Sequence, residues 1–221
     1  MNKAYINTVL DKYTLGNVAG MGYQVAAKET PLCEVAFKYR VDKCEKIKHP
    51  FTPFYYDLLN SQRRSIRKVV QIGVEMKRKG SHSDNQIGAS LRLWQEFFPG
   101  AQIFGAAADP LVMFREGKIK TVLCDQSKKE DLLSLLEMTG TDIDLFIDDG
   151  THTTEDQVQT CLTVMPHLQK DALYIIEDVK DLDVERRLMQ FDTRLISLRA
   201  SNGRRFSDDK MIVVRHRSVW S

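Results

Sequence analysis

The stretch Ile143-Asp144-Leu145-Phe146-Ile147-Asp148-Asp149-Gly150-Thr151-His152 decides the fold. Its first half is a short apolar run of the length expected for a buried strand. It ends abruptly in two carboxylates and a turn-forming glycine. A second stretch repeats the arrangement: Ala172-Leu173-Tyr174-Ile175-Ile176, then Glu177-Asp178. Each run therefore delivers acids to the carboxyl end of a strand, the edge of an open parallel α/β sheet at which ligands bind. Three or four carboxylates meeting there repel one another unless a cation joins them. Hard divalent cations such as Mg2+ choose oxygen ligands of this kind. His152 stands three residues after Asp149, where it can serve as a base beside the metal. Either acidic stretch alone is equally well explained by a turn or a helix cap; the pair is what points to a metal.

Outward from these two runs, the chain from residue 68 onward alternates short apolar segments with amphipathic ones. Strands are expected over 69–74, 102–106, 121–124, 143–147, 172–176, 195–198 and 211–214. Helices are expected over 89–98, 129–138, 154–168 and 182–190. This alternation predicts a Rossmann-like, doubly wound α/β sheet. The last two strands are joined by a loop over 200–209 with no clear helix, which predicts a terminal antiparallel pair. Residues 1 to 65 differ in style. Helix-like spacing appears over 7–15 and 32–39, Pro50 and Pro53 bracket a turn, and another helix is expected from Phe54. The expected division is a helical cap or lid over 1–65 and a Rossmann-like domain over 66–221. No internal repeat or low-complexity segment interrupts either part.

At 221 residues the chain is long enough for one domain with a real core plus a short extension. Hydrophobic residues make up 43% and charged residues 28%, the profile of an ordinary globular protein. A net charge of +2 gives no strong polyanion signal, so nucleic acid is not the expected partner. The basic run from Arg63 to Lys79 is the one feature that would favour it, and solvated charge explains that run as well. The four cysteines are scattered, with no C-x-x-C; Cys124 and Cys161 lie in apolar segments and are expected in the core. The amino terminus lacks the apolar core of a signal peptide, and no apolar run approaches the roughly 20 residues needed to span a bilayer. A soluble, cytoplasmic protein without a membrane partner is expected.

Ile72-Gly73-Val74-Glu75 closes the first strand of the sheet, and Gly88-Ala89-Ser90 opens the next helix. Glycine there lets a ligand approach the backbone, and free amides at a helix start favour an anion. The spacing is not G-x-G-x-x-G, which counts against a dinucleotide oxidoreductase. Three longer stretches, 70–74, 88–94 and 98–105, carry a resemblance. Together with Cys124-Asp125-Gln126-Ser127 and the two acidic motifs, they resemble the class I S-adenosylmethionine (SAM)-dependent methyltransferases. More narrowly, they resemble the metal-dependent O-methyltransferases that decorate macrolide deoxysugars, and their relatives in glycan-modifying clusters. Upstream, Lys38-Tyr39-Arg40-Val41-Asp42-Lys43 and His49-Pro50-Phe51-Thr52-Pro53-Phe54-Tyr55 resemble a family segment that packs over the cofactor.

The resemblance implies SAM as cofactor, Mg2+ or Mn2+ as metal, and a sugar or glycan hydroxyl as methyl acceptor. Asp149, Glu177 and Asp178 would hold the metal, and His152 would take the acceptor's proton with Asp149 beside it. Gly73, Glu75, Ser90, Asp125 and Gln126 would face the cofactor, and Asp148 would either support the metal shell or touch the cofactor. Two positions depart from the pattern. Gln71 and Ala107 stand where the family usually carries acids, the second of which binds the ribose hydroxyls of SAM; Asp109 or Glu75 would have to replace it. A carboxylate on a hydroxyl is worth roughly 1.5–3 kcal/mol per hydrogen bond. These departures keep open a second reading, a catalytically impaired methyltransferase-fold protein that binds a glycan, a partner chain or a copy of itself. The resemblance admits a homo-oligomer, and no interface is legible. Asp42, Lys43 and His49 are polar enough to approach an active site, but nothing in the sequence places them there.

Overall fold

The structure is a computed structural model that describes residues 2–16, 24–25, 29–74, 87–204 and 206–217. Its elements run α1 (Lys3–Gly16), β1 (Gln24–Val25), α2 (Pro31–Lys38), α3 (Phe51–Leu59), β2 (Lys68–Ile72), α4 (Ala89–Phe97), β3 (Gln102–Ala107), β4 (Arg115–Glu116), β5 (Ile119–Leu123) and α5 (Lys129–Thr139). They continue with β6 (Leu145–Asp148), α6 (Thr154–Val164), β7 (Leu173–Ile176), α7 (Asp183–Arg187), β8 (Asp192–Arg199) and β9 (Lys210–Arg215). The described strands form one mixed sheet in the order β1-β8-β9-β7-β6-β2-β3-β5-β4. Its centre, from β7 to β5, is parallel. β9 runs antiparallel to both β7 and β8.

Alternation along each central strand divides the core in two. Val69, Ile103, Leu145, Ile147, Leu173 and Ile175 face a cluster that also holds Leu10, Leu32, Phe54, Leu58 and Trp94 from α1 to α4. Val70, Ile72, Phe104, Phe146, Tyr174 and Ile176 face the other, built with Leu132, Leu136, Val158, Cys161 and Val184 from α5 to α7. Each fully buried Leu, Ile or Phe contributes roughly 1.5–3 kcal/mol of hydrophobic stabilisation. The three N-terminal helices thus share one continuous cluster with that face of the sheet. All four cysteines are free and buried. Among the described residues, no helix is long and apolar enough to cross a membrane.

The Rossmann-like sheet and the antiparallel end match the sequence-based expectation, with local corrections. The helix expected to reach 168 ends at Val164, and the chain tightens into a 3-10 turn over Met165–His167 around Pro166, which cannot donate to a helical bond. The helix expected over 182–190 keeps only five residues. Two strands were not expected. β1 pairs parallel with β8, and β4 folds back antiparallel on β5 through Gly117. Each has two residues, too few to show a period of two.

Candidate active site

The register of the central strands assembles the site. Asp148 pairs with Ile72 across β2 and β6 and with Ile176 across β6 and β7. The next residues along, Gly73, Asp149 and Glu177, therefore leave the sheet side by side. A Cβ at Gly73 would lie 1.8 Å from the Asp149 carbonyl oxygen, so this position, at φ 93°, accepts only glycine. The crossing of two chain segments accounts for that glycine before any ligand is considered.

Beyond the strand ends, ligand-capable atoms of Asp149, His152 and Asp178 lie within 4.8 Å of one another. His152 Nε2 is 4.0 Å from Asp149 Oδ1 and 3.6 Å from Asp178 Oδ2. Both His152 and Asp178 hold left-handed backbone, at φ 58° and 52°. For residues with a Cβ this conformation costs on the order of 1–2 kcal/mol, and the surrounding structure must enforce it. Just after the histidine, the Thr153 hydroxyl accepts from the Asp156 amide and caps α6. Burial lowers the His152 pKa below its ordinary value. The neutral imidazole, the form able to accept a proton, is thereby favoured at neutral pH. The Asp178 carboxyl is pushed up to about 8, first by burial and then by Asp149, against the opposing charges of Lys43 and Lys48.

Glu177 turns the other way. Its side chain is buried and takes Tyr55 Oη on one oxygen and the Lys43 ammonium on the other. The same ammonium donates to Asp149 Oδ2 at 2.5 Å. Burial opposes the charge on Lys43, but Asp149 and Glu177 outweigh it and hold the lysine protonated well above its ordinary range. Glu177 itself rises to about 8, chiefly through burial, with Asp149 adding and Lys43 opposing. The Lys43 ammonium alone does not balance three converging carboxylates, an excess of negative charge of the kind a divalent cation relieves. Behind Asp178 stands His49, whose Nδ1 is 2.7 Å from Asp209 Oδ1 and whose Nε2 is 3.3 Å from Asp178 Oδ1.

The residues expected to face a cofactor have mostly local partners in this structure. Asp148 is fully buried, taking hydrogen bonds from Gln126 Nε2 at 2.6 Å and Tyr174 Oη at 3.1 Å; burial pushes its carboxyl up to about 7. Gln126 uses its other end on the Thr151 amide. A Cβ at Gly150 would fall 1.9 Å from that oxygen. Asp109 accepts from the amide of Leu111, and Asp125 from the amide and hydroxyl of Ser127, each within its own turn. Ser90 Oγ receives Gln71 Nε2, which also donates to the Gly73 carbonyl, while Gln71 Oε1 takes Trp94 Nε1. Gln71 is thus fully committed where an acid was expected. Glu75 lies outside the described residues. A narrow cleft between Val41, Asp42, Ala89, Ser90 and Asp149 has a volume of only about 10 Å³.

No family model matches the chain. A Streptomyces olivaceus 8-demethyl-8-alpha-L-rhamnosyl tetracenomycin-C 2'-O-methyltransferase is 32% identical over 133 residues, 60% of this chain and 34% of that enzyme. A Micromonospora griseorubida mycinamicin VI 2''-O-methyltransferase is 31% identical over 162 residues, 73% of this chain and 38% of that enzyme. Among solved structures, the MycE methyltransferase of the mycinamycin biosynthetic pathway, in complex with Mg and SAH, superposes with a TM-score of 0.66. That match covers 92% of this chain and 58% of MycE at 24% identity. The chain has the class I methyltransferase fold. It resembles the antibiotic-sugar O-methyltransferases over their shared segment, and it spans little more than a third of the length of the curated relatives it matches.

In this methyltransferase-fold chain the groups that sequence analysis left unplaced, Lys43 and His49, lie at the centre of the site. Tyr55 sits in the core, fully buried, with its hydroxyl on Glu177. Lys43 and His49 stand in a segment already dense in charge, over 38–49, so their polarity carried no address. Their partners lie 106, 134 and 160 residues away.

Proposed function

We infer that the chain is the cofactor- and metal-binding part of a SAM-dependent O-methyltransferase acting on a hydroxyl of a sugar or glycoconjugate. The convergence of Asp149, His152 and Asp178 at the ends of two adjacent parallel strands carries the inference. The names of the relatives, each a methyltransferase of a sugar-bearing antibiotic, support the acceptor class. The donor set suits a hard divalent cation, because Asp149 and Asp178 converge on His152 with 15% and 6% of their side chains exposed. Asp149 and Asp178 would hold the ion, joined by Glu177 once its side chain exchanges Lys43 or Tyr55 for the metal. When bound, Mg2+ or Mn2+ lowers the pKa of an acceptor hydroxyl and fixes its direction, while SAM supplies the electrophilic methyl.

His152 Nε2 takes the hydroxyl proton, and Asp149 beside it favours the imidazolium so formed. Gly88-Ala89-Ser90, opening α4, and Gly73, Asp125 and Gln126 border the cofactor position. Glu75 or Asp109 would serve the ribose in place of Ala107. Residues 1–65 act as the cap, with Val41 and Asp42 facing Ala89, Ser90 and Asp149 across the narrow cleft. A cytoplasmic home agrees with four free, buried cysteines.

Transfer of labelled methyl from SAM to rhamnosyl and macrolide glycosides, with and without a chelator, tests this reading. Transfer abolished by chelation and by Asp149→Ala or His152→Ala is expected. Transfer that survives both substitutions would overturn the mechanism. One observation favours the rival reading of a binding protein on a retained fold: Asp109, the described acid nearest Ala107, already accepts from the Leu111 amide. Absence of SAM binding at millimolar cofactor in calorimetry would favour that rival.

A further inference from the structure

We propose that the chain carries a second divalent-cation site, formed by His49, Asp178 and Asp208 and sharing the Asp178 carboxylate with the first. Ligand-capable atoms of these three residues lie within 4.8 Å of one another, on the side of Asp178 opposite His152. Asp178 Oδ2 faces His152, and Oδ1 faces His49. The proposal rests on the methyltransferase reading only in sharing that carboxylate.

Three observations separate this cluster from an ordinary acidic patch. First, His49 Nε2 and Asp178 Oδ1 are both buried and both lack a hydrogen-bond partner, although they lie 3.3 Å apart. The side chains are 1% and 6% exposed, so water does not satisfy them at the surface. An orphaned pair of buried polar atoms is rare and costs on the order of 1–3 kcal/mol per group. Second, their separation is 3.3 Å. Two ligand atoms each about 2.1 Å from one ion, at angles between octahedral and tetrahedral, stand roughly 3.0–3.4 Å apart. Third, His49 Nδ1 is bonded to the buried Asp209 carboxylate at 2.7 Å. A carboxylate accepts, so Nδ1 donates to Asp209 and Nε2 is the nitrogen left facing the cluster. A carboxylate behind a ligating imidazole is the usual support of a metal-binding histidine. The ring is further fixed by stacking on Phe51, at 4.7 Å and 9° between planes.

Asp208, partly exposed, completes the set from the turn before β9. The Lys48 ammonium lies 3.9 Å from Asp208 and 4.0 Å from Asp178, with a side chain 39% exposed. It is the cation these acids attract when no metal is bound, and it can swing into solvent when one arrives. An imidazole with two carboxylates suits a first-row transition dication such as Mn2+ better than Mg2+. With Asp178 bridging, the two ions would form a pair of the kind that orients two oxygens at once.

Mn2+ titration of the chelator-stripped full chain, followed by electron paramagnetic resonance, counts the sites. Two equivalents per chain are expected, with a broadened signal from the neighbouring ions. Asp208→Asn and His49→Gln should each leave one equivalent that still disappears on Asp149→Asn. Asp149→Asn alone should leave the other. Asp208 is partly exposed, so its substitution reads the site without disturbing the core, and an unchanged melting temperature of the metal-free variant checks this. A wild-type chain that takes one Mn2+, or two that persist in both Asp208→Asn and His49→Gln, overturns the second site. Two bound ions without methyl transfer would leave this site standing and remove the function proposed above. One bound ion with methyl transfer would do the reverse.

Discussion

The two ends of the cleft treat their acids in opposite ways. At one end, Asp149, Glu177 and Asp178 come from two strand ends and meet Lys43 and His49 from the N-terminal segment. Their charges converge under burial, and each depends on groups far away in the chain. At the other end, Asp109 and Asp125 spend their carboxylates on amides two residues along, and Gln71 and Ala107 bring no charge at all. A convergent cluster of buried charge is held against its own repulsion and has work for a cation. A carboxylate that closes its own turn is already satisfied. Chemistry is stored at the first end, whereas the second is close to rest.

Lys43→Met should separate the two ends most sharply. Removing the buried ammonium leaves Asp149 and Glu177 unpaired, and about 3–5 kcal/mol of stability should be lost in urea unfolding of the metal-free chain. Added Mg2+ should restore much of it. Unchanged stability would show that the convergence is not held by charge. Acidity offers a second cut. Glu177 and Asp178 rise from ordinary values of 4.5 and 3.8 to about 8 in the fold. The folded chain therefore binds more protons than the unfolded one between these limits. The associated stability is complete at low pH and is lost as pH climbs through about 8. The metal-free melting temperature should fall between pH 5.5 and 8.5, and saturating Mg2+ should flatten that fall. A melting temperature that rises over this range would contradict the raised carboxyls.

At the cofactor end, Ala107→Asp should supply the missing acceptor. One charged hydrogen bond to a ribose hydroxyl should tighten SAM roughly 10- to 100-fold by calorimetry. No change would mean that another group already serves the ribose. The smallest effect is expected at Thr153→Ala, which removes the α6 cap beside His152 and should cost about 1 kcal/mol in thermal unfolding. A larger loss in methyl transfer than in stability would tie that cap to the placement of the histidine.

Much of this was legible in the sequence because it is local. Strands such as Val69-Val70 and Phe146-Ile147 declare themselves by apolar runs, and the paired acidic motifs sit at their ends. Asp109 and Asp125 show how one carboxylate carries two readings. Each is followed two residues on by an amide that its side chain can reach, which is a turn signal as much as a binding one. Lys43 and His49 were not legible, because a buried ion pair across more than 100 residues leaves no periodicity behind. Nor was the insertion of β9 between β7 and β8, since two antiparallel strands fit an edge as well as an interior.

That insertion has a consequence for how the molecule is made. Asp209, at the mouth of β9, is the buried anchor of His49, and a span of 160 residues must close before the contact forms. During synthesis the acids of β6 and β7 emerge while β9 is still inside the ribosome. Closure of the Asp209–His49 contact is thus a late event, which waits for β9 before the crowded charges behind Asp178 are locked in place.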